Sequence, residues 1–148
     1  MTPRLAVLGP AGTFSDIAAQ QYLRQQQLDW QLTYYNSIDQ VAASVQAETE
    51  YALLPLENTL DGYVQNTLAI LSYAELQVVG EALVPVRFSL AANAADLASI
   101  KRIYVQFKTK GQCGRILAQL PQAERLTTES NMLSFNKLQT AARGDAAI

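Results

Sequence analysis

The sequence predicts an α/β protein built as two lobes, and three observations carry that prediction. Short apolar runs alternate with helical patterns at a spacing that fits right-handed βαβ units and parallel sheets. A long β-rich stretch, residues 76–92, separates one such series from a second. Two polar loops, Leu8-Gly-Pro-Ala-Gly-Thr-Phe-Ser-Asp16 and Leu54-Pro-Leu-Glu-Asn-Thr-Leu-Asp-Gly62, each follow a buried-strand pattern and lead towards a helix. Such loops are where α/β proteins place their ligands.

Taken in order, residues 5–8 read as a strand. Residues 15–25 read as a helix with Ile17, Ala18, Tyr22 and Leu23 on its apolar face. Thr13 followed three residues later by Asp16 resembles a capping box with a short third member. Residues 31–35 form the next strand. Ser37 is placed to cap a helix that puts Ile38, Val41, Ala42 and Val45 on one face. Residues 51–54 are a strand ended by Pro55, and residues 64–73 a helix carrying Leu68, Ile70 and Leu71. Residues 76–92, interrupted by Gly80 and Pro85, are too long for one flat strand and read as a crossover between lobes. Beyond it come a short helix at 96–100, a strand at 102–106, a helix at 112–119, a strand at 125–128 and a helix at 132–142. The expected division is 1–78 for the first lobe and 79–145 for the second, with 146–148 beginning a strand that returns to the first. A cleft between the lobes is expected.

Composition narrows the function. The 148 residues carry 49% hydrophobic and 16% charged side chains, enough for a real core and too few charges for wholesale disorder. A net charge of −2 without a basic run leaves no electrostatic footprint for nucleic acid. No apolar stretch approaches membrane-spanning length, and the first residues run straight into a strand with no room for a signal peptide. The single cysteine, Cys113, excludes an intrachain disulfide and fits a reducing compartment. A cytoplasmic protein is expected. The absence of histidine excludes Ser-His and Cys-His nucleophilic pairs and histidine metal sites. Proton transfer must then use carboxyl, hydroxyl, amide or lysine groups, or water.

Gly9-Pro-Ala-Gly-Thr13 is a tight turn before a helix, either an ordinary βα turn or a seat for a carboxylate or phosphate. It is no dinucleotide fingerprint, since the third glycine is missing. Asn58, directly after a strand, has two donors and an acceptor with which to orient a carboxylate or carbonyl. Asp61-Gly62 is a turn signal. Lys108 and Lys110 fall in a loop before a helix, where cations oppose the helix dipole unless an anion is present; a solvated basic loop is the other reading. Cys113 reads as a small core residue. Ser130 or Asn131 caps the last helix.

These residues resemble the prephenate dehydratase catalytic domain. The matching stretches are Leu8-Gly-Pro-Ala-Gly-Thr-Phe-Ser15 and Pro55-Leu-Glu-Asn-Thr-Leu-Asp-Gly62, with Thr67 in the helix behind. Weaker matches are Gln112-Cys113, Glu129-Ser130 and Ala146-Ala-Ile148. The resemblance spans essentially the whole chain. It implies a two-lobed, periplasmic-binding-protein-like (type II) fold. It also implies decarboxylating dehydration of prephenate, a small dicarboxylate, to phenylpyruvate in phenylalanine synthesis, with no metal or organic cofactor. Carried over by position, Asn58 and Gln112 are the catalytic candidates. Thr13, Ser15 and Thr59 are substrate-binding candidates, and the basic-loop reading adds Lys108 and Lys110.

The chain departs from the family pattern in three places. The family's serine and histidine before the glutamine are Val105 and Gln106 here, and its Ser-Thr pair is Ser130-Asn131. The Thr-Arg-Phe segment, whose threonine is the usual candidate for protonating the departing hydroxyl, does not occur, nor does a regulatory ACT domain. The fold is therefore expected to be incomplete at its C-terminus, with an exposed apolar edge that favours a homodimer. The alternatives are a non-catalytic small-carboxylate binder of the same fold and a lyase acting on a related cyclohexadienyl acid.

Overall fold

The computed structural model describes residues 2–148, and the chain divides into two compact units, one up to Val86 and one spanning Arg87–Ile148. The division falls later than the expected 78/79, because residues 79–86 stay with the first unit. Gly80 packs directly on the Tyr22 ring edge, and Gln21 Nε2 donates to the Leu83 carbonyl at 3.1 Å. The predicted β-rich crossover carries no helix or strand through residues 74–90. Its valines and leucines favour strands only when a ladder partner and a packed face exist. Here Val78, Val79 and Leu83 point to solvent.

The first unit is built on a three-stranded parallel sheet of order β2-β1-β3, with β1 at Arg4–Leu8, β2 at Gln31–Tyr35 and β3 at Tyr51–Leu53. Leu5, Ala6 and Val7 are buried at its centre, as a continuous apolar run in a parallel strand requires. Helix α1 (Phe14–Gln26) joins β1 to β2, and α2 (Ile38–Ala47) joins β2 to β3. The face that α1 buries is Asp16, Ala19 and Leu23, with Tyr22 beside it, and Ile17 lies exposed. The predicted Ile17–Ala18 face is thus rotated, because a buried carboxylate occupies a position that an apolar reading skips. Left-handed Gln27 (φ +55°) ends α1 and lets the Leu28 amide reach back to Leu23 at 2.9 Å. Trp30 stacks on Tyr51 at 4.0 Å between ring centroids, closing this core.

Ser37 caps α2, accepting the Gln40 amide at 3.2 Å, and Val41 and Ala42 face the sheet as expected. After β3 the chain forms a short hairpin, β4 (Glu57–Asn58) against β5 (Gly62–Tyr63), and then helix α3 (Gln65–Tyr73).

The second unit holds a four-stranded sheet of order β6-β9-β7-β8: β6 Ala91–Ala92, β7 Arg102–Gln106, β8 Glu124–Thr128 and β9 Asp145–Ala147. Only β6 runs antiparallel to its neighbour. The strand expected to leave for the first lobe instead completes this sheet. Ala146, Ala147 and Ile148 are buried, with Ala146 and Ile148 in one core with Ile100, Ile103, Val105, Leu117 and Leu120. A three-residue apolar run fits whichever vacant slot lies nearest, and that slot is between β6 and β7.

The helix expected at 112–119 starts earlier. Helix α4 spans Phe107–Gln112, breaks at Cys113 and resumes as α5, Gly114–Leu117. Its cap is Gln106, whose side-chain oxygen accepts the Lys108 and Thr109 amides at 2.8 and 3.0 Å. Helix α6 (Asn131–Gln139) is capped by Ser130. Among the described residues, no helix is long and apolar enough to cross a membrane.

Candidate functional site

Strands β1 and β3 are neighbours and parallel, with Leu5, Ala6 and Val7 opposite Tyr51, Ala52 and Leu53. The loops that follow them therefore leave the same edge of the sheet side by side. Chain direction also reverses here: β1 leads outward to β2 on one side, and β3 returns on the other. This is a topological switch point, where open α/β sheets open a crevice beyond their carboxyl ends. The two polar loops of the sequence flank it.

The first loop is held from below. The Gly9 amide donates to the Tyr35 carbonyl at 2.8 Å, and a Cβ on Gly9 would lie 2.9 Å from Tyr34 Cβ, so only glycine fits there. Gly12 has φ +87°, a left-handed conformation that glycine adopts without strain. Thr13 caps α1: its hydroxyl accepts the Asp16 amide and donates to the Leu8 carbonyl, both at 3.3 Å. Asp16, 3% exposed, reaches past the cap, and its Oδ2 accepts the Gly12 amide at 2.8 Å. Its Oδ1 accepts Tyr34 Oη at 2.7 Å and Gln20 Nε2 at 2.9 Å.

Burial alone would raise the Asp16 pKa. The Gly12 amide, the Tyr34 hydroxyl and the Gln20 amide outweigh it and hold the group below the ordinary 3.8. Burial, the hydrogen bond to Asp16 and the charge of Asp16 push Tyr34 up to about 12.

The second loop is the β4–β5 hairpin. Asn58 Oδ1 accepts the Leu60 amide at 2.9 Å, an Asx turn that fixes which end of the side-chain amide is oxygen. The Asn58 nitrogen is thereby left as the outward donor. Gly62 (φ +77°) turns the chain back, and Thr67 Oγ1 donates to the Pro55 carbonyl at 2.7 Å, tying α3 to the loop.

Four of the predicted site residues thus share one sheet edge. Thr13 spends its hydroxyl on the cap. Half-buried Ser15 follows in the first turn of α1, and its hydroxyl makes no hydrogen bond among the described residues. Asn58 is half-buried and Thr59 exposed at the hairpin tip. The other three belong to α4 in the second unit, where Gln112 is half-buried and Lys108 and Lys110 are exposed. The lysines are helical residues, not loop residues as expected. Two positions apart on a helix, they point to different sides. Lys110 shares a shallow cavity of about 600 Å³ with Phe107, Gly111, Gly114, Leu117 and Arg125. Burial pushes the Cys113 thiol pKa up, away from reactivity. Sequence reasoning missed Tyr34 as part of the first loop, and took Asp16 only as a cap. No local signal marks Tyr34, because it reaches this loop only through the pairing of β2 with β1.

A parallel sheet bearing two polar loops at its switch point, joined to a second α/β unit, belongs to the periplasmic-binding-protein-like type II fold class. The chain belongs to the prephenate dehydratase family, whose sequence profile matches residues 5–148. It is 29% identical over 142 residues to the bifunctional chorismate mutase/prephenate dehydratase of Escherichia coli (strain K12), covering 93% of this chain and 36% of that protein. Its structure resembles the prephenate dehydratase of Staphylococcus aureus subsp. aureus Mu50, with TM-score 0.78, 25% identity and coverage of 97% and 53% of the two chains. The prephenate dehydratase of Arthrobacter aurescens in complex with L-Phe matches with TM-score 0.74, 31% identity and coverage of 97% and 48%. This chain spans about a third of the length of the curated relatives and about half of the matched structures.

Proposed function

We propose that the protein carrying this chain is a prephenate dehydratase of phenylalanine biosynthesis, and that the chain supplies substrate-orienting groups. The single observation behind this reading is the pairing of loops 9–15 and 57–59 on adjacent strand ends, within a chain of this family. In the reaction, the ring carboxylate leaves as carbon dioxide. Its bonding electrons aromatise the ring and expel the hydroxyl, which a proton donor converts to water. Aromatisation favours the product, so the protein's task is orientation and stabilisation of the departing oxygen.

Neutral donors suit that task. The Asn58 nitrogen, with its oxygen anchored in the turn, is fixed to donate to a carboxylate or to the leaving oxygen. Ser15 Oγ offers a second donor. The proposal needs no metal or organic cofactor, and with it goes a cytoplasmic location and a small dicarboxylate ligand. Contributions of Gln112, Lys108 and Lys110 belong to the same proposal and are tested by single alanine substitutions. A homodimer is proposed from the exposed Leu56, Leu60 and Tyr63 of the hairpin region; a monomer in light scattering at assay concentration overturns it.

The test is to incubate the full-length protein with prephenate at neutral pH and to follow phenylpyruvate in alkali. Turnover well above the buffer blank is expected. A rate equal to the blank, with prephenate bound, overturns the enzyme reading in favour of a carboxylate-binding protein.

A further inference from the structure

We propose that Asp16 is a positioning residue: it clamps the first loop through the Gly12 amide while Tyr34 holds Asp16 in place. It contacts no ligand, being 3% exposed. Its effect at the site passes through backbone. A ligand role for the loop rests on the function proposed above; the clamp itself rests on geometry alone.

Three donors converge on this carboxylate from three parts of the unit. The Gly12 amide comes from the loop, Gln20 Nε2 from one turn further along α1, and Tyr34 Oη from the neighbouring strand β2. A helix N-terminus with an acid three residues past the cap ordinarily closes a capping box on the cap residue's own amide. Here the carboxylate takes the amide one residue earlier, and that residue is the left-handed Gly12. A repetition in α2 shows that this reach is a usable geometry: Gln40 Oε1 accepts the Asn36 amide, one before the Ser37 cap. Of these two helices, α1 has the charged, buried acceptor, and there Tyr34 of β2 locks it.

Tyr34 acts on the same loop twice. Its Cβ backs Gly9, and its hydroxyl fixes the oxygen atom that faces away from Gly12. The loop from Gly9 to Gly12 is thus pinned at both ends to one tyrosine–aspartate pair. Thr13 and Ser15, one and three residues further on, inherit their placement from it. The Gly12 amide is also withdrawn from any ligand, so anion binding at this loop must use the groups that come after it.

The clamp and a simple electrostatic role predict opposite results. A carboxylate beneath an anion site repels a dicarboxylate, so its removal would tighten binding if charge were all that mattered. If the clamp matters, Asp16→Ala weakens binding by about tenfold, the scale of one charge-assisted hydrogen bond. Asp16→Asn is the conservative rescue. Its oxygen can keep the Gly12 amide, while its NH2 donates to Tyr34 Oη and to a rotated Gln20 amide. It is expected to stay within about threefold of the parent.

The experiment has two arms. In isotope-labelled protein, the Gly12 amide proton is expected far downfield. It should move upfield in Asp16→Ala, and in acid titration its midpoint should lie higher in Tyr34→Phe than in the parent. In the second arm, prephenate KM is expected to rise in Asp16→Ala and to be restored in Asp16→Asn. An unshifted Gly12 amide in a folded Asp16→Ala protein overturns the clamp, as does unchanged or tighter prephenate binding. Absence of turnover in the parent protein counts against the proposed function only; the amide arm and direct prephenate binding still decide the clamp.

Discussion

Arg102 grips Asp145 through two parallel hydrogen bonds, Nε to Oδ1 and Nη2 to Oδ2, both at 2.8 Å, across the adjacent strands β7 and β9. The aspartate is 1% exposed, and the bidentate fork raises the arginine pKa above its ordinary value. Removing the cation strands a buried carboxylate. Arg102→Ala is therefore expected to lower Tm by at least about 5 °C. Arg102→Met with Asp145→Leu should recover much of the loss, since the pair then leaves no charge behind. Thermal unfolding followed by circular dichroism of the three proteins checks both statements, and an unchanged Tm in Arg102→Ala would refute the first.

Asn58 separates a turn from a ligand contact. Asn58→Asp keeps an oxygen for the Leu60 amide and replaces the outward donor with a carboxylate oxygen. Stability should hold within about 0.5 kcal/mol. Prephenate KM should rise roughly tenfold or more, as like charges are set against each other. Asn58→Ala should lose both functions. An Asp variant that binds prephenate as well as the parent would remove Asn58 from the site.

Tyr34 gives a signature in alkali. Its pKa is raised to about 12 from the ordinary 10.0. The stabilisation from its protonated form is complete below pH 10 and is lost as pH rises through about 12. Ultraviolet difference titration should show one tyrosine ionising about two pH units late, and Tyr34→Phe should abolish that step alone. Asp16 carries the opposite sign. Its lowered pKa gives stability that is present above 3.8 and lost as pH falls through the still lower folded value.

Two glycines should respond in opposite directions to alanine. Gly9→Ala places a methyl 2.9 Å from Tyr34 Cβ, an atom fixed to backbone, and should cost about 1–3 kcal/mol in chemical denaturation. Gly111, in the last turn of α4, has open space around the new methyl, and alanine there should stabilise by up to about 1 kcal/mol. Equal effects at the two sites would contradict the packing described here.

The alternation of strand and helix was legible because β1, β2, β3 and β7 are short apolar or β-branched runs bounded by turn residues. The caps Thr13, Ser37 and Ser130 were legible because a hydroxyl before a helical pattern has few other uses. Helix α4 was hidden: Phe107-Lys-Thr-Lys-Gly-Gln112 has no apolar period, and its cap is a glutamine that reaches two residues ahead. Residues 76–92 misled in the other direction, since strand-forming side chains do not make a strand without a partner. The family motif names residues on both loops of the first unit, and it does not name the tyrosine beneath the first of them. Tyr34 and Asp16 meet only after β2 has been laid beside β1, and local sequence carries no record of that pairing.

The antiparallel pairing of β6 with β9 has a consequence for how the second unit comes into being. Its opening strand is hydrogen-bonded to its closing one, and Asn93 sews the seam further: its amide donates to the Asp145 carbonyl, and its side chain donates to the carbonyls of Leu138 and Ala141. On a ribosome the first unit can assemble while the rest is still being made. The second cannot, because its sheet lacks a central strand until Asp145–Ala147 has left the exit tunnel. Until then β6 and one side of β7 wait unpaired, so a ribosome stalled shortly before Gly144 should hold a folded first unit and a protease-sensitive second.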